Sequence, residues 1–152
     1  MSAVNEQDLE SVYRRYNSLC NAHRFDRLSE FVAQDVEVNG EVQGLQAYVD
    51  GLQAVVQAFP DYRWDLQHLF VSGAWVSAHF RDTGTHRGTF LGVPATGRVV
   101  STQEFAIYRF QAGRIAEVWV TADNLRLLDQ LLPAVDPAVR NASETGAGQT
   151  GP

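Results

Sequence analysis

The sequence predicts an α+β fold in a single domain, and three observations carry that prediction. Apolar residues recur at helical spacing through most of the first 58 positions. From Tyr62 to Thr121 the period changes to that of strands. A Leu-rich segment, Asp123 to Leu132, then returns to helical spacing. Helices first and strands afterwards is the order of a chain that gathers helices on one face of an antiparallel sheet.

Each element has its own signal. Leu9, Val12, Tyr13, Tyr16, Leu19 and Cys20 make one stripe, so residues 8–22 are expected as an amphipathic helix with Asp8 near its start. A shorter helix is expected over 26–33, and a short strand over 36–40. Leu45, Tyr48, Val49, Leu52, Val55 and Val56 predict a second amphipathic helix over 44–58. Phe59-Pro60-Asp61 stops it, because proline cannot continue a helix and restricts the residue before it. Segments 62–71, 74–83, 99–110 and 114–121 are rich in Val, Phe, Tyr, Trp and Ile and are expected as strands. Ser72-Gly73 and Gln111-Ala112-Gly113 read as hairpin turns, and 88–97 as a longer connection. Asp123 to Leu132 is expected to close the domain, 1–136, with Pro133 ending the helix. Beyond Pro137 the chain has little to bury, so 137–152 is expected as a disordered tail.

Composition narrows the function classes. A chain of 152 residues, 45% hydrophobic and 20% charged, with mean hydropathy −0.21, suits one soluble core. A net charge of −6 and a pI near 5.1 argue against a nucleic-acid partner, which requires a basic face. No apolar run approaches the roughly 20 residues that cross a bilayer. The polar start Met1-Ser2-Ala3-Val4-Asn5-Glu6 does not read as a secretory signal, so a cytoplasmic protein with no membrane attachment is expected. Cys20 is alone, which leaves no intrachain disulfide and no cysteine zinc site.

The densest motifs lie between Thr85 and Gln130: Thr85-His86 with Gly88; Pro94, Thr96, Gly97 and Arg98; Gly113-Arg114-Ile115; Glu117 and Trp119; Asp123; then Leu127, Leu128, Gln130 and Leu131. This series resembles the SnoaL-like polyketide cyclases of the nuclear transport factor 2-like superfamily. The resemblance implies a cone-shaped α+β barrel, a curved sheet wrapped around helices, with a deep apolar pocket. It also implies a cofactor-independent cyclase acting on a polyketide or related natural product, and a homodimer joined through the outer sheet face. In relatives whose reaction is an aldol ring closure, the aspartate matching Asp123 is the acid/base, and no metal or organic cofactor is required. One departure is visible: a His often precedes the Trp in this family, and here the residue is Val118.

Among the candidate residues, Asp123 stands where a strand meets a helix. A carboxyl group held among apolar side chains resists ionising and becomes a proton carrier near neutral pH. Its structural alternative is to cap the helix, a role for which Asp is preferred. His86 is either a second proton carrier or a structural histidine. His79 shares strand parity with Trp75, and lines the pocket only if that face looks inward. Neighbouring strand residues face opposite sides, so one of Gln103 and Glu104 must point inward; Gln103 is the expected one, as a substrate hydrogen-bond partner. Tyr16 and Asn17 on the first helix are further pocket candidates, as are Trp75, Trp119 and Phe59, each weighed against plain core packing. Arg98 and Glu117 are expected to pair as a structural ion pair. His79 and His86 show no spacing that supports a metal site.

The ring closure expected is acid/base aldol chemistry at Asp123, epoxide opening between Asp123 and His86, or a cycloaddition that needs only a shaped pocket. The alternatives are a dehydratase or double-bond isomerase on a steroid-like or hydroxyacyl substrate, for which Tyr16 or Tyr48 near Asp123 would speak, and a non-catalytic module that binds a small molecule or a partner protein.

Overall fold

A computed structural model describes residues 6–132; the expected domain limit at 136, the helix stop at Pro133 and the tail lie outside the described residues. In chain order the elements are α1 (Glu6–Asn21), a 3-10 turn (Phe25–Glu30), β1 (Val32–Val38), β2 (Glu41–Val42), α2 (Leu45–Ala58), β3 (Arg63–Ser72), β4 (Trp75–Thr85), β5 (Val99–Gln111), β6 (Arg114–Ala122) and α3 (Asn124–Leu131). The strands form one curved, unclosed sheet in the order β2-β1-β6-β5-β4-β3. The α+β cone expected from the sequence is therefore present, with one correction to its pairing. β1 runs parallel to β6, so the sheet is mixed rather than antiparallel throughout. A tight hairpin forces antiparallel pairing, but β1 and β6 are joined through most of the chain and are free to align.

The first strand also begins earlier than expected, and the helix over 26–33 shrinks to the 3-10 turn. β1 bulges against β6: Val32 pairs with Ile115 and Glu37 with Glu117. Val32 and Val36, four residues apart, both point into the core, a spacing that strand alternation shares with a helix.

The hollow of the sheet is filled from α1. Leu9, Tyr13, Tyr16 and Cys20 are buried at helical spacing against it. Alternation on the long strands supplies the other half. Val76, Ala78, Phe80 and Asp82 of β4 face inward, as do Val100, Thr102, Ala106 and Tyr108 of β5. α2 is less embedded: only Ala58 is buried, while Tyr48 and Leu52 remain partly solvated.

Candidate functional site: an inner chamber behind the sheet

The inner chamber has a volume of about 120 Å³ and lies between α1, α2 and the concave face of β3–β6. Tyr13, Tyr16, Asn17 and Cys20 enter from α1, Tyr48 and Leu52 from α2, and Trp64, Phe80, Tyr108, Val118 and Val120 from the sheet. Glu104 of β5 is the one carboxylate in this wall. The parity of β5 decides this, and it reverses the expected orientation: Glu104 faces the chamber and Gln103 the outer surface. Val118, the residue before Trp119, is also turned inward and buried, so the chamber has an isopropyl group at that point.

Burial is the main cause of the electrostatics here. It pushes the Glu104 carboxyl up to about 8, and the neighbouring Asp82 adds to the shift. Asp82, fully buried on β4, is likewise raised, to about 7, by burial, against the opposing effect of a hydrogen bond. That bond comes from the Tyr62 hydroxyl, which donates to Asp82 Oδ2 at 2.9 Å. The Tyr13, Tyr16, Tyr48 and Tyr108 hydroxyls are all raised by burial. The Cys20 thiol is pushed up to about 12, so it stays protonated and is a poor nucleophile. Tyr16 and Tyr48 are hydrogen-bonded to one another through their hydroxyls across the chamber. Two hydroxyls carry two protons, and one suffices for their mutual bond. The other is available to an acceptor in the chamber.

The residues singled out from the sequence divide among four places. Tyr16 and Asn17 reach the chamber; Asn17 Nδ2 also lies 3.5 Å from the Trp64 carbonyl, to which it donates. His79, Gln103, Trp75 and Trp119 stand on the outer face. There His79 bonds His68 Nδ1 at 2.9 Å and Gln103 Oε1 at 2.8 Å and stacks on Phe105. His68, His79, Phe105 and Trp119 border a shallow groove of about 550 Å³ on that face. Phe59 is fully buried outside the chamber.

His86 is also fully buried, in a corner where the 86–98 connection leaves β4. The Thr96 amide donates to His86 Nδ1 at 3.2 Å, which makes that nitrogen an acceptor and puts the ring proton on Nε2. The rest of the Thr-His-x-Gly motif serves the same corner. The Thr85 amide and hydroxyl donate to Asp61 at 2.6 and 2.7 Å. The Arg87 and Gly88 amides bond the Ala58 carbonyl. A Cβ on Gly88 would lie 2.7 Å from the Gln57 carbonyl oxygen, which explains the glycine.

Asp123 is exposed and caps α3, its Oδ1 accepting from the Arg126 amide at 3.1 Å. The Gln130 side-chain amide bonds both backbone groups of Ser101, and Arg98 donates to the Leu132 carbonyl at 3.0 Å. These motif residues dock α3 on β5. Asp123 and His86 are not brought together: the Asp123 amide bonds Gln103, and the His86 amide bonds Arg98. Those two positions stand roughly 15 Å apart along β5. The expected Arg98–Glu117 pair is also corrected. Glu117 sits opposite Arg109 and pairs with it at 2.8 Å, because direct cross-strand neighbours meet first.

Fold and chamber together define a class: a curved α+β cone whose concave face encloses a small, aromatic, acid-bearing cavity. The chain belongs to the SnoaL-like polyketide cyclase family, whose model matches residues 10–131. It is 28% identical over 112 residues to the aklanonic acid methyl ester cyclase DauD of Streptomyces sp. (strain C5), a match covering 68% of this chain and 69% of that protein. The crystal structure of a SnoaL-like polyketide cyclase from Agrobacterium tumefaciens superposes with a TM-score of 0.73 at 30% identity, over 87% of this chain and all of that one. IdmH of Streptomyces antibioticus superposes with the same TM-score, 0.73, at 25% identity, over 80% of this chain and 96% of its own. No helix among the described residues is long and apolar enough to cross a membrane.

Proposed function

We propose that this protein closes a ring in a polyketide-like small molecule by acid/base aldol chemistry, with Glu104 as the proton carrier. The observation that carries the reading is the placement of one carboxyl of raised proton affinity in the same chamber as the Tyr16–Tyr48 hydroxyl pair. Ionised Glu104 removes a proton α to a carbonyl. The spare tyrosine proton holds the enolate oxygen as charge gathers there, which is where a preorganised donor contributes most. The enolate carbon attacks a second carbonyl, a carbon–carbon bond forms, and the new alkoxide takes the proton back from Glu104. The sum is an isomerisation, balanced without a further reactant.

At about 120 Å³ the chamber is below the size of pockets that enclose drug-sized ligands. It admits the dicarbonyl portion of a substrate, with the remaining rings at the partly solvated α2 wall. The test is incubation with aklanonic acid methyl ester, the compound for which the relative DauD is named, in deuterated water, followed by NMR. Ring closure with enzyme-dependent exchange at the α-carbon is expected. Exchange without closure would favour a double-bond isomerase or dehydratase, which the tyrosine–carboxyl pair also suits. Neither exchange nor closure would sink the enolisation reading and leave a binding module.

The reading also includes a homodimer through the outer sheet face, where Phe70, Phe105, Ile107 and Trp119 are each 41–67% exposed. Sedimentation equilibrium should return twice the chain mass of 16.9 kDa; a single chain mass at micromolar protein would reject it.

A further inference from the structure

We infer that Asp82, held by Tyr62, is a positioning residue for Glu104: as a second buried carboxyl on the same sheet wall, it makes the pair share one proton and so sets the pH at which Glu104 becomes a base. The inference rests on the proposed role of Glu104.

Register places the two groups. Phe80 pairs with Glu104 and Asp82 with Thr102, so Asp82 and Glu104 are diagonal neighbours on the inward face of adjacent strands. Diagonal positions on one face lie roughly 7–8 Å apart at Cβ, within reach of a glutamate. Asp82 has no place in the ring-closing step: it does not line the chamber. Its Oδ2 is committed to Tyr62, and its Oδ1 is buried with no hydrogen-bond partner among the described residues. A carboxyl so placed has a large desolvation cost when ionised, and a cost beyond packing calls for a functional account.

The titratable groups that interact with the pair are all weak acids: Tyr13 and Cys20 of α1, Tyr48 of α2, Tyr62 before β3 and Tyr108 of β5. β6 contributes Val118 and Val120 to the chamber. His86, in the neighbouring corner, accepts from Thr96. No arginine or histidine lines the chamber among the described residues, so no cation offsets a second negative charge there. Like charges this close do not both form readily, and the two carboxyls titrate as one coupled system. Tyr62, donating to Asp82, biases the first negative charge toward Asp82 and leaves the shared proton on Glu104.

The test is an NMR pH titration of the Glu104 side-chain carboxyl in protein labelled with ¹³C-glutamate. It needs no substrate. Asp82→Asn removes the neighbouring charge while keeping an oxygen for Tyr62, and should lower the Glu104 midpoint by about one pH unit or more. Tyr62→Phe should lower it too, because Asp82 then holds its proton longer and Glu104 ionises beside a neutral neighbour. A Glu104 midpoint unchanged in Asp82→Asn overturns the inference. If that variant does not fold, an unchanged midpoint in Tyr62→Phe overturns it instead. A shifted midpoint together with full ring closure by Glu104→Gln would uphold the Asp82–Glu104 coupling and reject the catalytic role of Glu104, so the two failures are distinguishable.

Discussion

Glu104→Gln is expected to slow ring closure by about 10²- to 10⁴-fold, the range that a positioned general acid/base supplies. Glutamine keeps the shape of the side chain and its hydrogen-bonding capacity but cannot take up the α-proton. The loss should therefore fall on kcat, with KM little changed. Stability separates this outcome from misfolding. Glu104 and Asp82 both have folded-state proton affinities above their unfolded values. The folded state consequently holds more protons than the unfolded one as pH rises above the ordinary carboxylate range. That stabilisation is complete at acid pH and is lost as pH rises toward about 8. Removing one titrating group should leave Glu104→Gln with a melting midpoint above the wild-type value at pH 8.5 and close to it at pH 5. Asp123→Ala is the companion measurement. It removes a helix cap and should cost about 1 kcal/mol of stability while leaving kcat of the folded enzyme within about twofold. A collapse of kcat in Asp123→Ala with Glu104→Gln active would reverse the two assignments. Full activity in both would favour a cyclisation driven by pocket shape alone.

The contrast between these carboxylates shows what the sequence could and could not disclose. The long strands were legible, because alternating Val, Phe, Tyr and Ile bounded by Gly-containing turns has few other solutions. The motifs from Thr85 to Gln130 were legible as a family signature. In the structure Thr85, Gly88, Arg98, Asp123 and Gln130 lock a corner and dock a helix. A recurrent motif marks any demanding geometry, including a backbone that allows no Cβ, as at Gly88. Glu104 stands in no motif. Its signal was parity: adjacent to Gln103 in mid-strand, one of the two had to be buried, and an amide is the less costly choice on desolvation grounds alone. The inward phase of β5 is nevertheless fixed by Val100, Ala106 and Tyr108, all even-numbered and all buried. Following that phase through the strand would have selected Glu104. The Asp82–Tyr62 bond was harder to anticipate. It joins β4 to the turn before β3 across twenty residues, and it depends on the β3–β4 register, which sets Trp64 opposite Asp82.

Phe59→Ala should destabilise the protein by about 3–5 kcal/mol, the usual cost of emptying a fully buried phenylalanine site. Its ring lies 5.1 Å from Phe90, 5.3 Å from His86 and 5.8 Å from Tyr62, centroid to centroid. It is completely buried, and the backbone around it leaves little freedom to collapse into the void. Gly84 packs so closely that a Cβ there would lie 2.9 Å from Phe59 Cβ. For a domain of this size each kcal/mol is roughly 2–4 °C, so a fall in melting midpoint of about 6–20 °C is expected by calorimetry. A pocket residue would behave differently: its truncation would raise KM for the substrate and leave the melting midpoint nearly unchanged. Phe59 should do the reverse, because it lies behind the 86–98 corner rather than in the chamber wall. Loss of the ring also loosens Tyr62, the donor to Asp82, so the Glu104 titration should shift in Phe59→Ala in the same direction as in Tyr62→Phe. A variant that melts like the wild type but binds substrate poorly would instead place Phe59 at the substrate and require a larger chamber than the one between α1, α2 and the sheet.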